Sequence, residues 1–281
     1  MNAQLPPKCF ISHAYADAIA RDTLIRSLPG DVEAIVFPPI TVQPDQFVSN
    51  RLIESLLACD GLIYLTGGAS DRSFWVAFER DYALRAGKQV FSADVHTLNI
   101  TKHTGNALDL AVFASYHRED RSRVREVAEF LNRERYFDLW LDVQNLQVGA
   151  NWQEEISHAF EDRLKRGYVV AFWSQLASES QFIRPELERV AAETSDFNDR
   201  VLFGLLEDVP LPEFWLRFHE PAVQLYGNTE RSTIQRLDDL MVRLYWLIYR
   251  KTRHRDLDQT EFMSNPPAAR LIKSVKPETR T

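Results

Sequence analysis

Trp75 and Glu79 lie four positions apart in the stretch DRSFWVAFERDYALRAGK, which has the character of a helix. Side chains at positions i and i+4 of a helix are neighbours on one face, so the indole ring and the carboxylate are expected to lie side by side. A carboxylate beside a large aromatic ring can line a pocket that holds a sugar and stabilises positive charge on it. The same spacing also fits a surface helix with one aromatic anchor in the core and one acid in solvent.

The pattern around these two residues occurs twice in the chain. KCFISHAYAD, from position 8, is similar to LAVFASYHRED, from position 110, and DGLIYLTGGASDRSFWVAFE is similar to RGYVVAFWSQLASESQFIRPE. Each pair shares a short apolar strand, a polar loop and a helical pattern, which two diverged copies of one unit explain better than chance. In the second copy Glu186 corresponds to Glu79. Phe182 stands where the first copy has Trp75.

Both copies alternate short apolar strands with helices. The strands are predicted at residues 9–12, 34–37, 62–65 and 89–92 in the first copy and at 110–114, 137–141 and 168–173 in the second, with helices at 16–27, 49–59, 74–86, 122–134 and 152–164. Short, fully apolar strands between helices are typical of a parallel sheet that is covered on both faces. The sequence therefore predicts an α/β protein with two such sheets and an additional C-terminal helix.

Composition and pattern together suggest the domain boundaries. We predict a first domain at residues 1–95, a polar linker at 96–108 and a second domain at 109–226. Residues 227–252 carry apolar side chains at helical spacing and predict one amphipathic helix, packed on its own domain or on a partner. Residues 253–281 mix charge with the tripeptide NPP and predict a flexible tail.

The composition also excludes several classes of function. The 281 residues carry a formal net charge of −7, which argues against nucleic acid as a partner. Cys9 and Cys59 lie in apolar runs and are expected to be core thiols of a reducing compartment. No Cys/His cluster has the spacing of metal ligands, so we expect no metal site. No apolar run approaches the roughly 18 residues needed to span a bilayer, and no signal peptide is evident, so the expected location is the cytoplasm.

Ligands of parallel α/β sheets bind at the carboxyl ends of the strands. Several polar and aromatic residues follow the predicted strands directly and are therefore candidates for substrate binding. Some have ordinary structural explanations as well, because a histidine at a strand end can be satisfied locally and an arginine can be a surface charge. The candidates are Ser12, His13, Tyr15 and Ser73 in the first copy and Ser115, Tyr116 and Arg118 in the second.

The motifs VFASYHRED, LWLDVQNLQVGANWQEEI and VVAFWSQLASESQFIRPEL resemble a TIR domain in order and spacing, over residues 110 to about 206. CFISHAYAD and SDRSFWVAFERDYAL of the first copy are also similar to this family. The resemblance implies two flavodoxin-like TIR domains in tandem, each with a parallel five-stranded sheet. Some members of the family are scaffolds, and others cleave NAD+ at the nicotinamide–ribose bond. The cleaving members carry Trp-x-x-x-Glu, which WVAFE matches and FIRPE matches only with phenylalanine for tryptophan.

Resemblance to the bacterial NAD+-cleaving members implies an NAD+ glycohydrolase or ADP-ribosyl cyclase. Glu79 and Glu186 are then the candidate catalytic acids, and Trp75 and Phe182 would contact substrate. NAD+ is the substrate, so no separate cofactor is implied. The resemblance further implies activation by self-association or by assembly with other TIR domains, including filaments, in antiviral (anti-phage) immune signalling.

The loop after the second strand mediates assembly in this family. The second copy keeps it, and the resemblance implies an assembly loop with Asp142, Leu146, Gly149 and Trp152. The first copy has FPPITVQPDQF there instead, with three prolines and no glycine. We therefore hypothesise that Glu79 carries catalysis and that the loop of the second copy completes the pocket. Two alternatives stay open, namely that Glu186 is the catalytic acid and that both copies form a catalytically silent scaffold.

Overall fold

A computed structural model of the chain describes residues 4–37, 48–108, 112–141, 167–216, 222–227 and 233–252. The chain divides into two compact units. The main segment of the first unit ends at Leu108, and the second unit runs from Asp109 to Lys251. Each unit contains one five-stranded sheet with helices between its strands. The predicted α/β class, with two sheets of five strands, is therefore confirmed.

In the first unit, the two central strands β1 (Lys8–Ser12) and β3 (Gly61–Thr66) are buried along nearly their whole length. In β3 the run GLIYLT is buried at every position but the last, as expected of a strand covered on both faces. The elements in chain order are β1 (Lys8–Ser12), α1 (Ala18–Ser27), β2 (Glu33–Val36), α2 (Val48–Leu57), β3 (Gly61–Thr66), α3 (Phe74–Arg85), β4 (Gln89–Asp94) and β5 (Ile100–Lys102). The sheet has the order β2-β1-β3-β4-β5.

One strand contradicts the prediction that the first sheet is entirely parallel. β5 runs antiparallel to β4, with Ala93 opposite Ile100. The connection between the two strands is a few residues long, which permits a hairpin but not the crossover that a parallel pair needs. Asp94 holds the turn, because its Oδ1 accepts hydrogen bonds from the N–H groups of His96 and Thr97 at 3.0 and 2.8 Å. The segment predicted as a polar linker, residues 96–108, thus supplies a strand to the first sheet.

The second unit repeats the alternation of strand and helix. Every strand pair in its sheet, of order β10-β9-β8-β6-β7, is parallel, as predicted. The predicted helix at 152–164 lies outside the described residues. The elements in chain order are β6 (Val112–Ser115), α4 (Arg121–Glu129), β7 (Leu139–Trp140), β8 (Tyr168–Trp173), α5 (Gln175–Glu179), α6 (Ile183–Glu193), β9 (Val201–Leu205), α7 (Glu213–Leu216), β10 (Val223–Gln224) and α8 (Thr233–Thr252).

Large aromatic side chains fill the core of the second unit. The ring of Trp215 lies 4.7 Å from that of Phe203 and 6.1 Å from that of Phe197, measured between centroids, and all three residues are buried. Trp173 is buried as well, and its indole N–H donates to the carbonyl of Pro210 at 3.0 Å. Because the polar atom of this indole is paired, its burial carries no unmet hydrogen bond. The core therefore includes side chains of both β8 and β9.

The C-terminal helix α8 packs on its own unit. Its Tyr245 ring meets Phe137 edge-on, with 5.6 Å between centroids. Asp238 is fully buried and accepts a hydrogen bond from Arg135 Nε at 2.7 Å, so its charge is balanced inside the protein. These contacts favour the first of the two arrangements that the sequence left open. The predicted tail, residues 253–281, lies outside the described residues. Among the helices that the structure describes, none is long and apolar enough to cross a membrane.

Both sheets have the same strand order. Counted from the first strand of its own unit, each sheet runs 2-1-3-4-5. In a sheet of this order the connections from the two central strands, the first and the third, run to opposite faces. In open α/β sheets, ligands bind outside the carboxyl ends of the strands at such a switch point.

Candidate functional site

The loops after β1 and β3 meet at the carboxyl end of the first sheet, where Asp17 joins them. Its Oδ2 accepts hydrogen bonds from the N–H and the hydroxyl of Ser70 at 2.7 and 2.6 Å, and its Oδ1 accepts one from the N–H of Ala69 at 3.2 Å. The Ser70 hydroxyl in turn accepts a hydrogen bond from the N–H of Ala14 at 2.9 Å. The hydroxyl thus serves as donor and as acceptor, and both loops are held by one compact network. We call this contact the Asp17–Ser70 link.

The helix that carries Glu79 begins directly after this loop. Ser73 Oγ accepts a hydrogen bond from the N–H of Val76 at 3.3 Å and so caps α3. Ser73, which the sequence placed among the substrate-binding candidates, is buried and occupied with this cap. Glu79 is only 7% exposed. Its carboxylate therefore lies inside the fold and not on a solvated face of the helix.

Trp75 is half-buried and belongs to an aromatic cluster along α3. Its ring meets Phe74 and Phe78 edge-on, at 5.3 and 5.9 Å between centroids. Phe78 also stacks on Tyr82 at 6.0 Å. Edge-to-face contacts of this kind fix the ring without covering all of it. The indole is therefore anchored on one side and still partly accessible.

The three candidates at the end of β1 and directly after it have different environments. Ser12 is 1% exposed, and its hydroxyl has no hydrogen-bond partner among the described residues. His13 is half-buried, with its Nε2 at 2.8 Å from Nη1 of Arg21 on α1. A guanidinium only donates, so Nε2 is the acceptor and the ring is held in its neutral form. Tyr15 is 84% exposed and projects into solvent.

The contact between His13 and Arg21 predicts a pH dependence of stability. Burial first, and then the charge of Arg21, lower the pKa of His13 below its ordinary value of 6.5. As the pH falls through about 6.5, the unfolded chain therefore binds a proton that the folded chain does not, and the free energy of unfolding decreases. We expect a smaller decrease in His13→Gln, measured by urea unfolding of the full chain on both sides of this pH. Equal decreases in the two proteins would contradict the prediction.

The second unit contains the same link between a carboxylate and a serine. Asp120 Oδ2 accepts a hydrogen bond from the Ser174 hydroxyl at 2.5 Å, and both side chains are buried. Ser174 Oγ accepts one from the N–H of Ala177 at 3.1 Å and caps α5. The loops after β6 and β8 are thus joined as those after β1 and β3 are. We call this contact the Asp120–Ser174 link.

Arg123 on α4 adds a charged bridge at the carboxyl end of the second sheet. Its Nη1 lies 2.7 Å from Glu207 Oε1 and 3.5 Å from Asp120 Oδ1, and its Nη2 donates to the carbonyl of Leu206. Glu207 Oε2 accepts a hydrogen bond from the N–H of Gln175 at 2.9 Å. The Gln175 N–H and Arg123 together hold the pKa of Glu207 below its ordinary value. The bridge connects α4 to the loops after β8 and β9.

The second candidate acid, Glu186, is paired within its own helix. Its Oε1 lies 2.8 Å from Nη2 of Arg189, and its side chain is 12% exposed. Phe182 precedes the helix and is half-buried, and the Ser180 hydroxyl accepts hydrogen bonds from the N–H groups of Phe182 and Ile183, both at 3.2 Å. The carboxylate of the second unit is therefore balanced by a cation one turn away.

The other candidates of the second unit fall into two groups. Ser115 and Tyr116 are half-buried at the end of β6, and Arg118 is exposed in the short helical turn that follows. The candidates for the assembly loop, which lie outside the described residues, are Asp142, Leu146, Gly149 and Trp152. Within the described part of the chain, no three histidine, cysteine, aspartate or glutamate residues are grouped so that they could hold a metal ion.

The residues that join the loops were not identified from the sequence. Asp17 and Asp120 occupy equivalent positions in the two predicted copies, and this repetition could have indicated both aspartates. Their serine partners could not be identified from the sequence. Ser70 lies 53 residues from Asp17, and Ser174 lies 54 residues from Asp120. Only the tertiary structure brings these side chains together.

The second unit is also the part of the chain that matches a known family. Residues 112–240 match the family model described as TIR domain. Among solved structures, the TIR domains of the activated Roq1 resistosome, which directly recognizes the pathogen effector XopQ, align at 17% identity with a TM-score of 0.28. That alignment covers 60% of this chain and 100% of the other. No curated protein gives a significant match. Residues 112–240 are therefore similar to the TIR domain family, and this match covers a little under half of the chain.

Proposed function

We propose that this chain is an NAD+ glycohydrolase or ADP-ribosyl cyclase whose reaction centre lies in the first unit. The observation that carries the proposal is the position of Glu79. Glu79 is 7% exposed and lies one helical turn after Trp75, on the helix that follows the loop after β3. A sheet of this strand order binds ligands at that edge.

One carboxylate is sufficient for this reaction because of the leaving group. Ordinary glycosidases use two carboxyl groups, one of which protonates the departing oxygen. The nicotinamide of NAD+ carries its positive charge on the ring nitrogen, so the electron pair of the broken bond leaves it as a neutral base. Positive charge then develops on the ribose, and a fixed carboxylate in a site shielded from water stabilises it. Attack by water gives ADP-ribose, and attack by a nitrogen of the adenine gives a cyclic product.

Trp75 supplies the second requirement, which is orientation of the substrate. Its ring is anchored by Phe74 and Phe78 and remains half-exposed beside the helix turn of Glu79. An aromatic face in this position can pack on the ribose or on the nicotinamide. We infer that the buried Ser12 hydroxyl and the His13 ring lie on the other side of the same crevice, at the end of β1.

We assign assembly, and not catalysis, to the second unit. Glu186 is paired with Arg189, and Arg123 bridges to Glu207 at the edge where a ligand would enter. The equal strand order and the two carboxylate–serine links support the idea that both units are copies of one flavodoxin-like TIR domain. The proposal includes self-association through residues 142–152 in a cytoplasmic, anti-phage immune role. The reverse assignment, with Glu186 as the catalytic acid, is supported by the family match, which falls on that unit.

A second candidate function is that of a catalytically silent scaffold. It is favoured by the ion pair of Glu186 with Arg189, since a neutralised acid in the unit that carries the family match is what a non-catalytic TIR domain would show. In that case the chain would bind other TIR domains, or further copies of itself, and release nothing from NAD+.

Incubation of the purified full chain with NAD+ distinguishes the two candidates. We expect free nicotinamide together with linear or cyclic ADP-ribose. If assembly activates the enzyme, the rate of product formation per protein molecule should increase with protein concentration. Chromatography with mass spectrometry measures all three products. Glu79→Gln at the same concentration is the matched control. Absence of nicotinamide at every concentration, including conditions in which the protein is fully assembled, would support the scaffold.

A further inference from the structure

The loop before α3 is built around a carboxylate of the protein itself. The N–H groups of Ala69 and Ser70 and the Ser70 hydroxyl converge on Asp17 at 3.2, 2.7 and 2.6 Å. Successive backbone N–H groups that converge in this way form concavities that bind anions. In the first unit Asp17 occupies that concavity. The loop therefore does not need a ligand in order to take up its conformation.

Gly68 is the residue that lets Asp17 approach the loop so closely. A Cβ at this position would lie 2.6 Å from Oδ1 and 3.0 Å from Cγ of Asp17, nearer than side chains come to one another. The φ angle of Gly68 is −140°, outside the left-handed region, so the backbone conformation by itself does not demand glycine. The glycine is required by the approach of the carboxylate.

A continuous series of backbone hydrogen bonds connects this loop to the helix of Glu79. Ser73 N–H donates to the carbonyl of Ser70 at 3.2 Å, and Ala77 N–H donates to the carbonyl of Ser73 at 3.2 Å. The short helical turn Ala69–Arg72 is followed immediately by the N-cap of α3. A displacement of Ser70 is therefore passed on to the first two turns of α3.

We propose that Asp17 is a positioning residue, which sets the place of Trp75 and Glu79 by holding the loop through the Asp17–Ser70 link. This inference rests on the proposed function of the first unit. Asp17 acts through the loop and contacts no reacting atom. The Asp120–Ser174 link of the second unit is the matched control, because it joins the equivalent loops in a unit to which we assign no catalysis.

Four variants of the full chain test this role in steady-state assays of nicotinamide release. Asp17→Asn keeps the size of the side chain but places an NH₂ group opposite N–H donors. We expect kcat to fall about 10²-fold with KM little changed, because misplacement of a catalytic group by about 1 Å has effects of this size. Gly68→Ala leaves Asp17 unchanged and should lower kcat in the same way. Asp120→Asn should leave kcat unchanged. A smaller loss of kcat is expected for Ser70→Ala, because this variant retains both backbone N–H donors to Asp17. It replaces Asp17→Asn in the test if that variant folds poorly.

Amide hydrogen exchange separates a local effect on the loop and on the start of α3 from general destabilisation. In Asp17→Asn we expect faster exchange confined to Ala14 and residues 69–79, whereas general destabilisation would accelerate exchange in β3 and β4 as well. Wild-type kcat in both Asp17→Asn and Gly68→Ala would overturn the positioning role and leave the proposed function intact. If the wild-type chain releases no nicotinamide, the proposed function fails. The exchange data then decide alone, and unchanged exchange at 69–79 overturns the inference.

Discussion

Replacement of Glu79 by glutamine is expected to lower kcat for nicotinamide release by about 10²-fold or more, because removal of one preorganised electrostatic contact to a transition state commonly costs this much. Glutamine has the shape of glutamate, and Glu79 is 7% exposed, so the variant keeps the packing of α3 while losing the charge. The loss should appear in kcat more than in KM, since the charge is needed where the ribose becomes cationic. Product formation by the full chain under saturating NAD+ measures it.

Glu186→Gln is the matched control for this prediction. The Glu186 carboxylate is paired with Arg189 at 2.8 Å, so we expect no more than a small change in stability and no loss of kcat. Full activity of Glu79→Gln together with loss in Glu186→Gln would move the reaction centre to the second unit. Thermal unfolding of each variant separates a loss of charge from a loss of fold.

Replacement of Trp75 by alanine is expected to lower kcat/KM about tenfold or more. Stacking of an aromatic side chain on a base is worth about 1–3 kcal/mol, and about 1.4 kcal/mol corresponds to a factor of ten. Trp75 is half-buried against Phe74 and Phe78, so part of its surface is available for such a contact. Initial rates over a range of NAD+ concentrations give the effect on KM and on kcat separately.

Comparison of Trp75→Ala with Trp75→Phe separates loss of any aromatic ring from loss of the indole. It reproduces the residue type of Phe182 in the second unit while keeping an aromatic ring among the neighbours of α3. We expect Trp75→Phe to retain most of the stability and part of the activity. If alanine and tryptophan at this position give the same kcat/KM, Trp75 is only a core anchor and does not contact substrate.

Most strands of both sheets could be predicted from the sequence, because each is a short apolar run between polar segments. The run at residues 168–173 was predicted with the bounds that β8 has, and the helix at 74–86 differs from α3 by one residue. The repeat was predicted from the sequence as well, and the two sheets have equal strand order. The ion pair of Glu186 with Arg189 could also have been predicted, since residues three apart on a helix are neighbours.

β5 was missed because the run ITK is short and partly polar, and because its pairing depends on a turn. Asp94 makes that turn through its side chain, which reverses the chain within a few residues and places β5 antiparallel to β4. Propensity and periodicity describe neither a side-chain-to-backbone hydrogen bond nor the edge of the sheet at which a strand will be added. The expectation of an all-parallel first sheet was wrong for this reason.

The sequence by itself determined the α/β class, the places of most strands and helices, and the spacing that sets Trp75 beside Glu79, because these depend on residues close together in the chain. The tertiary structure alone decided that Glu79 is buried and that Asp17 meets Ser70. Burial and long-range hydrogen bonds depend on which distant segments pack together, and local patterns carry no information about the partner.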